Sequence, residues 1–416
     1  MKTKGDQQLL KRINRSVLLR LLRAQPGQSR ARLASASGLT KSTVSALVRE
    51  LLDERWIREA GAPVAGDGMG RPSTPLEIDA TARVLVGVEI GVQRMRLVTV
   101  TLTGQVLDAT EQAVTRTEAP AVCAQLARMV RHAWRDLDRK QLLLSGIGVC
   151  LPGAIDEMAG IVRFAPNLGW RDLAFHQLLA TALQQAGVPD VGLHLHNDAD
   201  AAALGEYEFA SADDADPLIF LSCDVGVGAG IVLNDHLFTG ARGMAGEIGH
   251  SIMQVDGELC SCGRRGCAET FIGARALGTP AGIERAARYL GVLIQNLDVM
   301  FNPRMVVVGG QSCTSRPELL ENAIRIVAQY ADSAGVPAPT VRGARYGLRA
   351  AAVGAASVAW HRYQRPVRAA AALTMDLLAH GTLSASASVP AIAPSPAGGT
   401  AVPGAAGTKP YPVEST

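Results

Sequence analysis

The sequence predicts an α/β body of two similar lobes, preceded by a small helical domain. The first observation is a repeated order of segments, because Val84–Leu107 and Leu218–Phe238 both alternate apolar strands with glycine-containing loops and turns. The second is that a helical stretch follows each unit, at 120–140 and at 281–297. The third is a basic N-terminal segment of different composition. Two similar lobes imply a cleft between them, and such clefts commonly bind a ligand.

The chain has enough apolar material for at least two packed cores. It contains 416 residues, of which 48% are hydrophobic and 19% charged, and domains usually contain about 100–200 residues. No apolar run approaches the roughly 20 residues that cross a membrane, and Gly5, Pro26 and Gly27 interrupt the basic N-terminal residues. We therefore expect a soluble, cytoplasmic protein with no membrane partner.

Charge is distributed unevenly along the chain. Residues 1–60 contain 13 Lys and Arg residues against 5 Asp and Glu residues, a surplus of +8, whereas the whole chain carries +3. The remainder therefore carries −5. A basic segment joined to an acidic body is typical of a nucleic-acid-binding domain attached to another domain. Taken by itself, the charge also fits a solvated basic surface.

Residues 11–57 are predicted to form three short helices. Apolar residues repeat at helical spacing from Ile13 to Leu22, and Pro26-Gly27 ends this helix. Ser29 can cap a second helix that stops at Gly38, and Thr40 can cap a third. The apolar stripe that the third helix buries consists of Val44, Leu47, Val48 and Leu51.

The opposite face of the third helix predicts contact with DNA. Short polar side chains and cations on a helix that follows a tight turn allow close approach to base edges in the major groove. The predicted DNA-binding residues of this helix are Lys41, Ser42, Thr43, Ser45 and Arg49.

Two short strands, Trp56-Ile57 and Leu76-Ile78, are predicted to pair around the loop Gly61–Pro75. A glycine-rich hairpin that ends in Arg71 suits a wing that reaches into the minor groove. Residues 29–61, followed by GRPSTPLEID at 70–79, resemble the winged helix-turn-helix of bacterial repressors. We therefore assign residues 1–80 to a DNA-binding domain, which we name the head.

Three of the seven cysteines, Cys260, Cys262 and Cys267, lie within eight residues, and His250 precedes them. One His and three Cys form a closed tetrahedral ligand set for Zn²⁺, and glycines at 257, 263 and 266 permit the necessary turns. Such a site leaves no open coordination position, so we expect one structural zinc ion per chain. A loop of unliganded cysteines is the alternative. The other four cysteines are expected to be ordinary buried thiols: Cys123, Cys150, Cys223 and Cys313.

The spacing of the predicted metal ligands also places two acidic residues near them. Glu247 lies three residues before His250, and Glu269 lies two after Cys267, so a bound metal brings the two carboxylates near each other. Carboxylates and a histidine in a cleft are good acceptors for vicinal hydroxyl groups. The spacing therefore indicates a ligand with several hydroxyls.

Asn197-Asp198 follows the predicted strand Val191–Leu195, at a strand end where open sheets commonly bind ligands. Asp198 could act as a general base toward a hydroxyl or accept its hydrogen bond. Alternatively, the pair caps the alanine-rich helix that follows.

Several segments together resemble the ROK family of repressors and sugar kinases over about residues 84–360. They are GIGVCLPGAID (146–156), PNLGW (166–170), NDADAAALGE (197–206), GVGAGIVLNDHLFTGARGMAGEIGH (226–250), CSCGRRGCAE (260–269) and VVVGG (306–310). With the winged helix, the resemblance points to regulators of the xylose-repressor and N-acetylglucosamine-repressor type. It implies an actin-like two-lobed fold, Asp198 as the catalytic base of any kinase, and sugar contacts from Asn197, Asp198, Glu247, His250 and Glu269.

The first phosphate loop departs from the pattern of the family's kinases, which is Asp-x-Gly-Gly-Thr. The matching residues here are Glu89-Ile90-Gly91-Val92-Gln93, so the Cβ of Val92 lies where backbone should approach phosphate. Asp224, just before the glycine of the second loop, adds a negative charge near the place of a polyphosphate. ATP is therefore not expected as a cofactor.

We predict a transcriptional repressor of carbohydrate genes that acts as a homodimer or homotetramer. Its partners are operator DNA and a sugar or sugar derivative that binds in the body, residues 81–365. The competing interpretation is an ATP-dependent sugar kinase that carries a DNA-binding head. Residues 366–416 are rich in Ala, Pro, Ser and Gly and are predicted to form a disordered tail.

Overall fold

Residues 4–78 contain three helices and a two-stranded antiparallel sheet. The computed structural model describes residues 4–61, 74–209, 216–241 and 243–366. The elements are α1 (Lys4–Ala24), α2 (Arg30–Ser37), α3 (Lys41–Asp53), β1 (Ile57–Glu59) and β2 (Leu76–Ile78). Ile57 pairs with Ile78 and Glu59 with Leu76, which confirms the predicted hairpin. The tip of the predicted wing, including Arg71, lies outside the described residues.

The caps of the helix-turn-helix are those that the sequence predicts. Ser29 Oγ accepts a hydrogen bond from the Arg32 amide at 3.3 Å, and Thr40 Oγ1 accepts one from the Thr43 amide at 3.2 Å. Gly38 ends α2 with a φ of +70°, in the left-handed region that favours glycine. The turn between α2 and α3 is therefore determined by local sequence.

The first lobe is built on a five-stranded mixed sheet. In chain order its elements are β3 (Arg83–Ile90), β4 (Arg94–Thr101), β5 (Val106–Ala113), α4 (Ala119–Arg139), β6 (Leu143–Leu151), β7 (Ala154–Asp156), β8 (Ile161–Ala165), β9 (Trp170–Leu173), α5 (Phe175–Gln185) and β10 (Leu193–Asn197). The order in the large sheet is β10-β6-β3-β4-β5, and β7, β8 and β9 form a separate small sheet. The strand predicted at Val191–Leu195 lies two residues later, so Asn197 is its last residue.

The second lobe repeats this plan. After α6 (Asp198–Phe209), its elements are β11 (Leu218–Cys223), β12 (Val227–Leu233), β13 (His236–Leu237), α7 (Ala268–Ile272), α8 (Pro280–Phe301), β14 (Met305–Gly309), α9 (Gln311–Thr314), α10 (Pro317–Ala334) and β15 (Thr340–Gly343). The last helix, α11 (Ala350–Tyr363), returns to the first sheet. The sheet order is β13-β12-β11-β14-β15. In both lobes, antiparallel strands that are consecutive in the chain are followed by parallel strands, which confirms the predicted two-lobed α/β fold.

Two helices lie where the lobes meet. α6 packs against β11 and β12 of the second lobe, and α11 packs against β3 and β6 of the first. At their crossing, a Cβ on Gly205 would lie 2.8 Å from Gly354 Cα, and a Cβ on Gly354 would lie 1.9 Å from Ala201 O. The two backbones are therefore in direct contact, which only glycine permits at these positions.

The head and the body share one apolar cluster, in which Leu51 and Ile57 pack with Val98 and Trp360. All described residues belong to one compact unit. None of the helices in the described ranges has the length and hydropathy that crossing a bilayer requires. Residues 367–416, nearly all of the predicted tail, lie outside the described part of the chain.

Candidate functional site

The segment that carries Glu247 and His250 lies directly against β12. The Ala229 amide donates a hydrogen bond to Gly246 O at 2.8 Å, and a Cβ on Gly249 would lie 2.1 Å from Val227 O. Because only glycine allows this approach, the backbone on both sides of Glu247 is held against the second sheet. His250 Nε2 lies 3.9 Å from Glu247 Oε2, so the two predicted sugar-binding side chains are adjacent.

The loop from His250 to Cys267 brings the four predicted zinc ligands together. Their donor atoms all lie within 4.8 Å of one another. The Sγ atoms of Cys262 and Cys267 are 3.7 Å apart, and Cys260 Sγ lies 3.6 Å from His250 Nδ1. Tetrahedral bonds of about 2.3 Å to sulfur and about 2.0 Å to nitrogen give edges of about 3.8 Å and about 3.5 Å. Both the donor set and the spacing therefore fit Zn²⁺.

Glu269 joins the loop of the predicted zinc ligands to the same strand. Its Oε2 accepts a hydrogen bond from the Val227 amide at 3.3 Å, and its Oε1 accepts one from Ser261 Oγ at 3.3 Å. The segment around Gly249 contacts the carbonyl of this same Val227. The segment from Gly246 to His250 and the carboxylate of Glu269 therefore both lie against β12, at Val227 and Ala229. The other four cysteines are buried and form no disulfide.

Asn197 is a helix cap in this structure. Its Oδ1 accepts hydrogen bonds from the amides of Ala199 at 2.8 Å and Asp200 at 3.2 Å, and its Nδ2 donates to Gly153 O at 3.1 Å. The capping alternative is therefore present, and both acceptor positions of the Asn197 amide are used within the chain. Asp198 Oδ1 accepts from the Ala199 amide at 2.9 Å.

Asp198 lies near several other carboxylates. Its burial, together with the negative charges of Asp224 and Glu247, raises the pKa of Asp198 to about 6. Burial also raises the pKa of Glu89 to about 7, aided by the charges of Asp198 and Asp224 and opposed by Arg96. Asp198 therefore lies within electrostatic range of Glu247 and also of Glu89 and Asp224, the carboxylates of the two phosphate loops.

Residues of the first phosphate loop form hydrogen bonds and an ion pair with other residues of the protein. The Gly91 amide donates to Arg94 O at 2.9 Å, and this tight turn leaves Val92 42% exposed. Glu89 pairs with Arg96 at 3.2 Å, and the Arg96 guanidinium also donates to Leu348 O at 3.1 Å. The partly buried carboxylate of Glu89 is therefore balanced by an arginine of the protein itself.

The second phosphate loop presents Asp224. Its side chain accepts a hydrogen bond from the Gln311 amide, and its carbonyl accepts one from Ala274. These contacts hold the carboxylate at the end of β11, where it adds to the negative charge around Glu89 and Asp198.

The predicted DNA-binding face of α3 is open to solvent. Lys41, Ser42, Ser45 and Arg49 are exposed, whereas Thr43 is partly buried and its Oγ1 lies 2.8 Å from Thr40 Oγ1. Thr43 therefore supports the cap of α3 as well as lying on the predicted face.

Sequence reasoning missed a buried ionic group at the other end of α6. Glu208 Oε1 lies 2.7 Å from His361 Nδ1 and accepts a hydrogen bond from Arg365 at 2.8 Å, and Glu208 also pairs with Arg23 of the head. The one available signal was the presence of two glutamates, Glu206 and Glu208, in an alanine-rich helix.

Comparison with known proteins decides the family. A ROK family model matches residues 85–284, and an IclR helix-turn-helix domain model matches residues 17–61. The chain is 30% identical over 361 residues to the xylose repressor of Bacillus subtilis (strain 168), covering 79% of this chain and 91% of that protein. The chain belongs to the ROK family.

Two solved structures extend the comparison. A ROK family transcriptional regulator that is a homolog of the E. coli MLC protein superposes with a TM-score of 0.70 at 23% identity, over 86% of this chain and 97% of that chain. A ROK family glucokinase from Streptomyces griseus, in complex with glucose and AMPPNP, superposes with a TM-score of 0.57 at 26% identity, over 66% of this chain and 98% of that chain. This ROK protein therefore has the actin-like sugar kinase fold, with a helix-turn-helix domain added.

Proposed function

We propose that this ROK protein is a transcriptional repressor whose affinity for operator DNA responds to a sugar bound in the cleft of its body. The observation that carries the proposal is the presence in one compact unit of an exposed helix-turn-helix face and a cluster of hydroxyl acceptors. Lys41 and Arg49 supply cations for DNA phosphates and base edges. Asp198 and Glu247 supply acceptors for sugar hydroxyls.

The sugar is recognised by Asp198, Glu247, His250 and Glu269, with Asn197 orienting Asp198 through the cap of α6. Carboxylates accept hydrogen bonds from neighbouring hydroxyls of a pyranose, and hydrogen bonds to charged groups contribute about 1.5–3 kcal/mol each. His250 faces the other zinc ligands with Nδ1, so its Nε2 carries the proton and donates a hydrogen bond to a sugar oxygen. The Bacillus subtilis relative is a xylose repressor, and the Streptomyces griseus relative was solved with glucose. D-xylose and D-glucose are therefore the first ligands to test.

One zinc ion per chain is proposed at His250, Cys260, Cys262 and Cys267. The four protein ligands complete a tetrahedral set, so the ion shapes the loop and has no open position for the sugar. Its contribution is to hold Ser261, and through it Glu269, against β12. We expect two copies of the chain, as a homodimer or within a homotetramer, to place two α3 helices on a pseudo-palindromic operator.

A sugar kinase is the second candidate, and the observation that favours it is Asp198. A carboxylate whose pKa is raised to about 6 in a partly dry cleft suits a general base toward a sugar hydroxyl. The contacts of Glu89 with Arg96, the exposed Val92 and the charge of Asp224 disfavour the binding of a polyphosphate. The sensor is therefore the proposal that the geometry supports better.

The DNA-binding part of the proposal is tested with the full chain. Operator sequences are selected from random duplexes, and the dissociation constant of the best duplex is measured by fluorescence anisotropy with and without D-xylose, D-glucose or N-acetylglucosamine. We expect sequence-specific binding and a change of at least about tenfold with one of the sugars. Binding that is indifferent to sequence would overturn the proposal.

Arg49→Ala tests the predicted reading face. Loss of an exposed guanidinium on α3 is expected to weaken operator binding by about tenfold, because a base or phosphate contact contributes about 1–3 kcal/mol. Arg128→Ala removes another exposed arginine, from α4 of the body, and is the matched control. The sugar affinity measured by calorimetry should stay the same in both variants. Unchanged operator affinity in Arg49→Ala would show that α3 presents a different face to DNA.

A further inference from the structure

Helix α6 connects the proposed sugar site to the head. It begins at Asp198, is capped by Asn197, and carries Tyr207 and Glu208 in its last turn. Its 12 residues span about 18 Å. One end of a single rigid element therefore lies in the cleft, while the other contacts α1 of the head through Arg23.

Glu208 is the centre of a buried ionic cluster at this second end. We name this cluster the Glu208 network, and its members are Arg20, Arg23, Tyr207, Glu208, Asp235, His361, Gln364 and Arg365. The Glu208 side chain has no exposed surface. Burial acts to raise the pKa of Glu208, but the charges of Arg23 and Arg365 and the hydrogen bond with His361 outweigh it and hold the pKa well below the usual range. The carboxylate is therefore ionised and depends on its cationic partners.

Asp235, in the turn between β12 and β13, ties the same network to the second lobe. Its carboxylate accepts hydrogen bonds from Tyr207 Oη at 2.6 Å and from Arg365 Nε at 3.0 Å. It also pairs with Arg20 of the head at 3.3 Å. Because Arg365 follows α11, which packs on the first sheet, the network joins the head and both lobes at one place.

A second attachment joins the head to β3 and to α11, the helix that packs on the first sheet. The Trp56 ring stacks on Tyr363 with centroids 4.2 Å apart, and the Arg83 guanidinium lies 4.2 Å from the Trp56 ring centroid. Arg15 pairs with Glu54 within the head and donates to Tyr363 Oη at 3.1 Å. The head is therefore held to the first lobe by stacked rings and to the second lobe by the ion pairs of Arg20 and Arg23.

We propose that the Glu208 network is the junction through which a sugar in the cleft changes the position of the head. This inference rests on the proposed function. A rotation of the lobes must shift α6 along α11, and the direct backbone contact at Gly205 and Gly354 leaves no space to absorb the shift. The shift therefore reaches Glu208 and Asp235, whereas the stacked rings keep the head with the first lobe. The ion pairs Arg23–Glu208 and Arg20–Asp235 have different geometries in the two lobe arrangements. A sugar that favours one arrangement therefore changes the affinity for DNA.

Arg23→Gln tests the junction. The change removes the head's cation from Glu208, while His361, Gln364 and Arg365 still satisfy the buried carboxylate. Arg12→Gln is the matched control, because Arg12 is exposed on the same helix and loses the same charge. For wild type and both variants, calorimetry gives the sugar dissociation constant. Anisotropy gives the ratio of the operator dissociation constants with and without sugar.

We expect the ratio to fall at least about tenfold toward one in Arg23→Gln and to keep its wild-type value in Arg12→Gln. The sugar dissociation constant should stay within about twofold in all three proteins. Arg23→Lys restores a cation and should recover most of the ratio, which a merely structural role of the guanidinium would not predict. Asp235→Asn, which leaves Glu208 unchanged, should lower the ratio as well.

The two proposals fail in different ways. If no sugar changes the operator affinity of the wild-type protein, the proposed function is wrong and the proposed junction is wrong with it. A wild-type response that persists undiminished in both Arg23→Gln and Asp235→Asn overturns the junction alone. An equal loss in Arg12→Gln would also overturn it, because the effect would then follow the charge of α1 rather than the contact with Glu208.

Discussion

The two parts of the candidate site differ in which ligand groups their loops can receive. On the proposed sugar side, Glu247, His250 and Glu269 are held against one strand by glycine contacts and by the loop of the predicted zinc ligands. On the phosphate side, Glu89 is paired with Arg96, and Asp224 adds a second carboxylate. The difference teaches that one fold can keep the side chains proposed to recognise hydroxyls while the loops for phosphate transfer change. Three variants test that comparison.

Cys262→Ser is expected to have the largest effect, because it removes a ligand from a closed tetrahedral set. The zinc content should fall from about one ion per chain to near zero. Sugar affinity should fall roughly 100-fold, since Glu269 loses the loop that holds it. Atomic absorption and calorimetry measure the two quantities. Cys123→Ala, which changes a buried thiol of the first lobe, should leave the zinc content and the sugar affinity unchanged. If Cys262→Ser loses the metal but still binds sugar with wild-type affinity, the zinc loop has no role in sugar recognition.

Asp198→Asn is expected to have the next largest effect. The variant keeps the size of the side chain but removes the charge that accepts sugar hydroxyls, so sugar affinity should fall roughly 30-fold, or about 2 kcal/mol. Glu89→Gln, on the phosphate side, should change sugar affinity by less than about threefold. Calorimetry of the two variants side by side measures the contrast. Equal losses would show that the two sides of the cleft recognise the sugar together.

Glu89→Gln is expected to have a smaller effect, on the pH dependence of stability. The pKa of Glu89 is raised from 4.5 to about 7 in the folded protein. The folded state therefore binds the proton more tightly, and the stability that this carboxyl contributes below about pH 4.5 is lost as the pH rises through about 7. The free energy of unfolding of Glu89→Gln should therefore rise relative to wild type by at most about 1 kcal/mol per pH unit between pH 5 and 7.

Urea denaturation across this range measures the slope, and Glu111→Gln is its control. Glu111 also pairs with Arg96, but hydrogen bonds from Arg94 and Arg96 lower its pKa. Its contribution to stability is present above its unfolded pKa and lost as the pH falls through its folded pKa. The control therefore has no rising slope between pH 5 and 7. A Glu89→Gln variant with a flat profile would contradict the assignment of a buried, proton-binding carboxyl.

Local patterns were sufficient to predict much of the fold and part of the site. Ser29 and Thr40 cap their helices, and these caps were predictable because a hydroxyl residue directly before an apolar repeat is a local signal. Likewise, the Cys260–Cys267 spacing predicts ligand atoms that the structure brings together. Such features depend on residues that are close in the sequence, so a single chain reveals them.

Other features depend on contacts between distant residues. Arg23 and Glu208 are 185 residues apart in the sequence, and the local sequence around either residue does not indicate that the two form a pair. Gly354 lies in an alanine-rich helix, where its role in the crossing with α6 follows only from the arrangement of the two sheets. At Asn197, sequence left capping and sugar binding open, and the hydrogen bonds of the folded chain show the cap.

The central claim is that the body senses a sugar without transferring phosphate. One titration tests it most directly: the operator complex is titrated with D-xylose and with D-glucose, in the presence and in the absence of Mg-ATP. ADP release is followed at the same time as DNA binding. We predict that one sugar alone changes the operator dissociation constant by at least about tenfold and that no ADP forms. A DNA response that requires ATP, with ADP release abolished by Asp198→Asn, would contradict the account.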